Sequence, residues 1–386
     1  MPLLALSLTG SPAEAGLIAA MQTFPFLVVG LFAGVIIDRV DRRRLLVACD
    51  IARVASVGSI PLAWVFGALT IPQMYVASFV QGAATALANL AQVSSLPRVV
   101  TRDQITTAQA FNQASQGIAT VVGPALGALI VGLGATTTAG AAYGYAFDTS
   151  TYVLSVGALL TVATRLQAPR APDAPGVTLV RKVFTDIGEA MRYLWRDGDL
   201  RGMMAMNFIQ RSLLGPLAFS AVVLAQQSLG ADTREVGWML AASGVGGVVA
   251  ASLAPTLRRH FQTWPLLVAI AFANAVGFAL IAAAPGLAIA MAGMAIASGS
   301  EALIGIVQVA FRLAAIPDAL QGRVNSTYRW VAYTGMTLGT AGAGFMLAEA
   351  GPRPTFWTAA GIMFTLATTV MLIRSRPATI PAATTA

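Results

Sequence analysis

Charge is scarce in this sequence: Asp, Glu, Lys and Arg make up 10% of its 386 residues. A water-soluble domain carries about a quarter, so a chain this poor in charge and 56% hydrophobic reads as an integral membrane protein. Cysteine and histidine are scarcer still, with Cys49 and His260 each the sole example of its type. One cysteine excludes an intramolecular disulfide. One of each leaves no ligand set for zinc and no Cys/His catalytic pair. Asp38 and Asp41 spell D-x-x-D, which can hold magnesium and a diphosphate in membrane prenyltransferases. Such a site needs a second acidic cluster, which the sequence lacks, and the neighbouring Arg residues compete for the carboxylates. No enzyme activity, metal or cofactor is expected. The net charge of +8 does not point to nucleic acid, because the basic residues sit at the ends of apolar runs and form no patch with aromatics. Residues 1–12 lack a basic stretch and a cleavage site, so no signal peptide is expected.

Long apolar runs are what the chain has instead. A helix needs about 20 apolar residues to cross the hydrocarbon core. Such spans fall near 13–37, 44–67, 71–95, 105–133, 141–164, 201–226, 234–256, 264–284, 286–313, 325–349 and 355–374. Helices must dominate, because buried spans have to satisfy their own backbone hydrogen bonds.

Lys and Arg set the orientation. Arg39, Arg42, Arg43 and Arg44, then Arg98 and Arg102, then seven basic residues between Arg165 and Arg201 fall on one side, as do Arg258, Arg259, Arg312, Arg323, Arg374 and Arg376. Only Arg234 and Arg353 fall on the other. The positive-inside rule makes the first side cytoplasmic, C-terminus included, and eleven spans then leave Met1 outside. Residues 2–8 and the following Thr9-Gly10-Ser11-Pro12 read as the tail of an earlier span and its outer turn. An internal repeat agrees: residues 38–43 align with 254–259, and Gly123 with Gly339, at one offset of 216. This predicts twelve spans in two parallel halves, with the first helix mostly missing from this sequence.

The expected organisation is therefore a transmembrane bundle over 1–164, a cytoplasmic linker over 165–200, a second bundle over 201–375, and a cytoplasmic tail over 376–386. Pro169, Pro172 and Pro175 make the start of the linker extended. Val183, Phe184, Ile187, Met191, Leu194 and Trp195 then recur at helical spacing with charges between them. This predicts an amphipathic helix on the cytoplasmic face, or a solvated linker helix.

The loop between the spans 13–37 and 44–67 holds six charges in the seven positions from Asp38 to Arg44. Gly34, Asp38, Arg39, Arg42 and Arg43 match G-x-x-x-D-R-x-G-R-R, the signature loop of the major facilitator superfamily of transporters, with Asp41 where Gly is usual. Gly123, Pro124 and Gly127 are similar to that superfamily's antiporter motif on the fifth helix. Leu8-Thr-Gly-Ser-Pro12 and Pro317-x-x-x-x-Gly322-Arg323 resemble the branch of enterobactin-type exporters and macrolide efflux proteins. The resemblance covers essentially the whole chain. It implies an all-α polytopic protein of two pseudo-symmetric six-helix bundles in a bacterial inner membrane. It further implies a monomer that exports a small organic molecule by proton-driven alternating access. In the superfamily the signature loop gates the movement of the halves; here Asp38 can cap a facing helix, and Asp50 and Arg53 are candidate partners of the loop.

Ionisable residues inside the membrane are functional candidates. Arg211 lies near the middle of its span beside Asn207 and Gln210, and Glu301 near the middle of 286–313. The resemblance places these spans seventh and tenth of twelve, lining the central cavity. Glu301 is then a candidate proton or substrate carboxylate whose pKa is set by burial against Arg211, or half of a structural ion pair. Asp148 is a second candidate. Tyr328, Trp330 and Tyr333 line the cavity or sit at the interface. An uptake permease, or a membrane protein that does not transport, are the alternatives.

Overall fold

The computed structural model describes residues 1–101, 129–162 and 179–375, with scattered positions between 102 and 128; the side chains of 30–39 and of some other helical positions lie outside the description. The described residues contain helices and no strand. In order these are α1 (Pro2–Thr9), α2 (Pro12–Arg39), α3 (Arg42–Val65), α4 (Ile71–Val99), α5 (Thr137–Thr161), α6 (Leu179–Arg196), α7 (Gly198–Ser228), α8 (Thr233–His260), α9 (Thr263–Ala283), α10 (Leu287–Ala315), α11 (Asp318–Ala350) and α12 (Pro352–Ser375). The expected spans coincide with α2–α5 and α7–α12 to within a few residues at most ends. The largest difference is α11, which starts at Asp318, immediately after Pro317; proline at that point sets the turn out of α10 and cannot extend a helix. The span expected over 105–133, the first part of the linker and the tail 376–386 lie mostly or wholly outside the described residues.

Among the described residues, seven of these helices carry a stretch apolar and long enough to cross a membrane: α2, α3, α7, α8, α9, α10 and α12. Helices α4, α5 and α11 have 29, 25 and 33 residues, also long enough at about 1.5 Å per residue. They are more polar, and part of that polarity is turned inward. Gln81 of α4 accepts from Gln22 of α2 (3.3 Å), and Thr337 of α11 donates to Thr23 of α2 (2.9 Å).

Side chains close the helix ends that the loops expose. Asp232 and Glu235 form a reciprocal capping box at the start of α8. Such a box satisfies two backbone donors that the helix leaves free. Asp197 caps α7 and Thr136 caps α5. Gly10 ends α1 in the left-handed region at φ 67°, where a residue without Cβ is unstrained. The two basic residues on the sparsely charged face both have structural work. Arg353 donates to the carbonyls of Ala282 (3.1 Å) and Ala284 (2.8 Å) at the end of α9, and Arg234 lies over the Trp238 ring at 5.2 Å.

Packing rests on small residues, as it must where lipid supplies no hydrophobic drive between helices. A Cβ on Gly339 or Gly335 of α11 would collide with the Ser212 or Phe208 carbonyl of α7. Gly277 of α9 and Gly293 of α10 face each other in the same way. Helices α2–α5 pack among themselves, as do α7–α12, and the principal contact between the sets runs along α2 and α11. The pairs Gly16 with Gly344, Thr23 with Thr337, Phe26 with Tyr333 and Leu27 with Trp330 make these two helices antiparallel neighbours. The close end of this pairing lies opposite the basic loops. There Leu4, Ile18, Ile60 and Met74 from the first set are buried with Phe219, Val223 and Leu347 from the second.

The helix predicted between Arg181 and Trp195 is α6. Ala190 and Leu194 are fully buried against Leu200, Met204, Ile316, Val324 and Tyr328. Ala190 and Leu194 thereby seat the C-terminal half of α6 on α7 and on the α10–α11 turn, while Trp195 is exposed.

Candidate functional site

Helices α7, α10 and α11 bring a polar group together inside the second set. Glu301 sits at mid-length of α10, where its side chain is 11% exposed, and Arg211 of α7 is 35% exposed. Arg211 Nε is 3.9 Å from Glu301 Oε1, too long for a hydrogen bond but close enough for charge to act. The bond to the carboxylate comes from the neighbouring residue, with Gln210 Nε2 donating to Glu301 Oε2 at 3.2 Å.

From there a ladder of amides runs toward the basic face. Gln308 Nε2 donates to Gln210 Oε1 (3.5 Å). Gln308 Oε1 accepts from Asn207 Nδ2 (3.2 Å) and from the Tyr328 hydroxyl (2.9 Å). That hydroxyl also reaches the Met203 carbonyl (2.8 Å). The Arg312 guanidinium lies 3.7 Å above the Tyr328 ring, and its Nε donates to Asn325 Oδ1 at 3.3 Å. Sequence spacing explains the arrangement: Asn207 and Gln210 are three apart on α7, and Glu301, Gln308 and Arg312 recur at seven and four along α10, so each set shares a face.

Sequence reasoning singled out Arg211, Glu301, Asn207 and Gln210, and all four meet here. It did not find Gln308, which is fully buried, nor Asn325. Both look like ordinary polar residues in their spans; their helical spacing from Glu301 and Tyr328 was the available signal. Of the three aromatics, Tyr328 joins the ladder, while Trp330 donates to the Leu27 carbonyl (3.2 Å) and Tyr333 stacks on Phe26 at 4.3 Å. All three sit between helices.

Two residues of the loop motif have described side-chain roles. Asp41, the departure from the usual glycine, caps α3 by accepting from Arg44 N at 2.9 Å. Arg43 Nε donates to the Leu159 carbonyl at 2.9 Å, and its Nη2 to that of Leu160. The guanidinium thus closes the C-terminal end of α5, where carbonyls lack partners and a cation is favoured. Asp50 and Arg53 pair with each other (2.7 Å). Asp50 also accepts from Ser155 of α5 (2.6 Å), and Arg53 faces the Tyr152 ring. Asp148 lies on the same helix, half-buried. Arg42 is half-buried at the start of α3. Backbone apart, Gly34, Asp38 and Arg39 lie outside the described residues, and so does Pro124. Gly123 and Gly127 are helical, and no described atom lies within 4 Å of a Cβ built on either. Among the described residues no group of acidic, His and Cys side chains could hold a metal ion.

Comparison with known proteins places this geometry. Residues 3–384 match the family described as transmembrane secretion effector, a group of major facilitator transporters. The chain is 27% identical to multidrug efflux pump Tap of Mycolicibacterium fortuitum over 361 residues, which covers 92% of this chain and 86% of the pump. It is 25% identical to macrolide efflux protein A of Streptococcus pyogenes over 122 residues, covering 32% and 30% of the two chains. The crystal structure of the nucleoside transporter NupG superposes with a TM-score of 0.72 at 12% identity, over 97% of this chain and 94% of that one.

Proposed function

This chain belongs to the transmembrane secretion effector family of the major facilitator superfamily, and from that premise we propose that it is a proton-driven exporter of small organic molecules. It is a multi-pass membrane transporter, not an enzyme. The proposal adds direction, coupling and the residues responsible. The observation that carries it is Glu301, a carboxylate buried among helices of the second set and held by Gln210, with Arg211 at 3.9 Å. A carboxylate there serves as a proton carrier because its two protonation states bind Arg211 differently. Deprotonated, it attracts the guanidinium; protonated, it releases it toward substrate. Export fits the efflux pumps to which the chain is similar.

Movement of solute is by alternating access between bundles over 1–164 and 201–375, joined by the linker 165–200. The α2–α11 seam opposite the basic loops is the closed gate in this arrangement, with the site facing the cytoplasm of a bacterial cell. The signature loop, through Asp38 and Arg39, couples the gate on the basic side, and the monomer is the working unit.

The test is transport by the purified protein in proteoliposomes loaded with a dye panel, under an imposed proton gradient. Gradient-driven dye movement that a protonophore abolishes, and that Glu301→Gln removes while the protein still unfolds at the wild-type temperature, supports the reading. Undiminished gradient-driven movement in Glu301→Gln would falsify the assignment of the coupling residue, and no movement of any dye would remove the export reading.

A further inference from the structure

The amide ladder between Glu301 and Tyr328 has a direction. Gln308 Nε2 donates to Gln210 Oε1 (3.5 Å), and Gln210 Nε2 donates to Glu301 Oε2 (3.2 Å), so both rungs point their hydrogens toward the carboxylate. At the other end, Gln308 Oε1 accepts from Asn207 Nδ2 and from the Tyr328 hydroxyl. Asn207, Gln210 and Gln308 are all buried, so each amide is oriented by its neighbours and not by bulk water. A side-chain amide offers a carbonyl at one end and an NH2 group at the other. Turning one over sets two like groups face to face unless the next turns as well. The three amides therefore share one direction.

The Tyr328 end is in conflict in the direction seen here. The hydroxyl has one hydrogen and two acceptors in reach, the Met203 carbonyl at 2.8 Å and Gln308 Oε1 at 2.9 Å. It can serve one fully only by leaving the other short. The opposite direction removes this conflict. Gln308 then offers Nε2 to both Tyr328 Oη and Asn207 Oδ1, Gln210 offers Nε2 to Gln308 Oε1, and the hydroxyl hydrogen belongs to Met203 alone. The rungs keep their lengths, because each turned amide exchanges its two ends in place. This direction needs a donor at Glu301, where Gln210 now presents Oε1. A carboxylate is an acceptor only, whereas the protonated carboxyl has an O–H to give.

We infer that the ladder is a two-direction relay in which Gln308, a positioning residue, passes the protonation state of Glu301 to Tyr328 on α11. Ionised Glu301 holds the direction seen here, and protonated Glu301 holds the reverse. The proton stays on the carboxyl, and no bond to hydrogen breaks along the chain; the amides turn over together. Such a chain is an element with two discrete arrangements, as coupling between separated groups requires. The charged groups beside it are Arg211 at Glu301, and Arg211 and Arg312 at Tyr328. A guanidinium keeps its charge throughout, so the group that changes state is Glu301. Tyr328 is also buried with Ala190 and Leu194 of α6, so the change arrives where the linker helix is seated. The relay rests on the reading of Glu301 as proton carrier and adds the residues through which it acts.

The test is infrared difference spectroscopy of the purified full chain in detergent, recorded as a function of pH. Glu301→Gln assigns the carboxyl band, and Tyr328→Phe assigns the phenol C–O band. The expected wild-type result is a shift of the Tyr328 band with the same midpoint as the Glu301 carboxyl band. In Gln308→Met the carboxyl still titrates and the Tyr328 shift is lost. If Gln308→Met fails to fold by size-exclusion chromatography, Gln210→Met cuts the ladder one rung nearer the carboxyl, and the Tyr328 shift should again be lost. A Tyr328 shift that survives the cut would mean direct electrostatic action and overturns the relay. A wild-type Tyr328 band that ignores a titrating Glu301 also overturns it, and leaves Glu301 standing as the proton carrier. A Glu301 carboxyl that never titrates removes that reading and the relay with it.

Discussion

Gly16 of α2 and Gly344 of α11 cross with no side chain between them: a Cβ built on Gly16 would lie 2.5 Å from Gly344 Cα, and one on Gly344 would lie 2.7 Å from Gly16 Cα. Both neighbours are backbone, so neither can swing away. Gly344→Leu should part the two helices at the end opposite the basic loops. The check is a single cysteine at Thr337, in a background where Cys49 is replaced by Ala, probed with an impermeant maleimide from that side. Labelling should rise several-fold over the parent, and unchanged labelling would show that the seam tolerates the added bulk.

Asp41 supplies a second prediction. Its carboxylate accepts from Arg44 N, so Asp41→Ala should cost about 1 kcal/mol, the usual value of an N-cap. Asp41→Gly, which restores the residue usual in the superfamily loop, should cost only a few tenths of a kcal/mol. Thermal unfolding in detergent distinguishes the two, and equal losses would show that the cap contributes little.

Arg43 holds the last carbonyls of α5. Arg43→Ala removes the bonds and the favourable charge at the helix end, an effect of about 1 kcal/mol. Hydrogen exchange should quicken in the last turn of α5, around Leu159, and stay unchanged in α9. Arg43→Lys should retain the charge but lose the fork and fall between the two. Uniform exchange in all three proteins would show that the loop Arg acts elsewhere.

Tyr328→Phe keeps the ring beneath Arg312 and removes the hydroxyl that reaches Gln308 and Met203. A lost buried hydrogen bond costs about 1 kcal/mol. Stability should fall by that amount in thermal unfolding, and an unchanged unfolding temperature would show that the hydroxyl contributes little.

The spans that coincide with described helices were legible in the sequence because each is a long, mostly apolar run. Arg211 and Glu301 stood out for the same reason, as charges where charge is costly. The partnerships were harder. Arg43 bonds to the backbone of a helix more than a hundred residues away, and no residue-type pattern marks a carbonyl as vacant. Ser155 and Tyr152, on a neighbouring helix, contact Asp50 and Arg53, and no nearness in sequence marks either contact. Gln308 escaped notice because an uncharged amide does not disturb hydropathy. Its importance comes from lying level with Asn207, Gln210 and Tyr328, and that depends on how three helices are staggered.

Helix α11 is gripped on two sides, by α2 through Gly344, Thr337, Tyr333 and Trp330, and by α7 through Gly339 and Gly335. It therefore behaves as a common spindle. Any roll that loosens its seam with α2 must also slide Gly335 and Gly339 against α7, so the two seams cannot be adjusted independently.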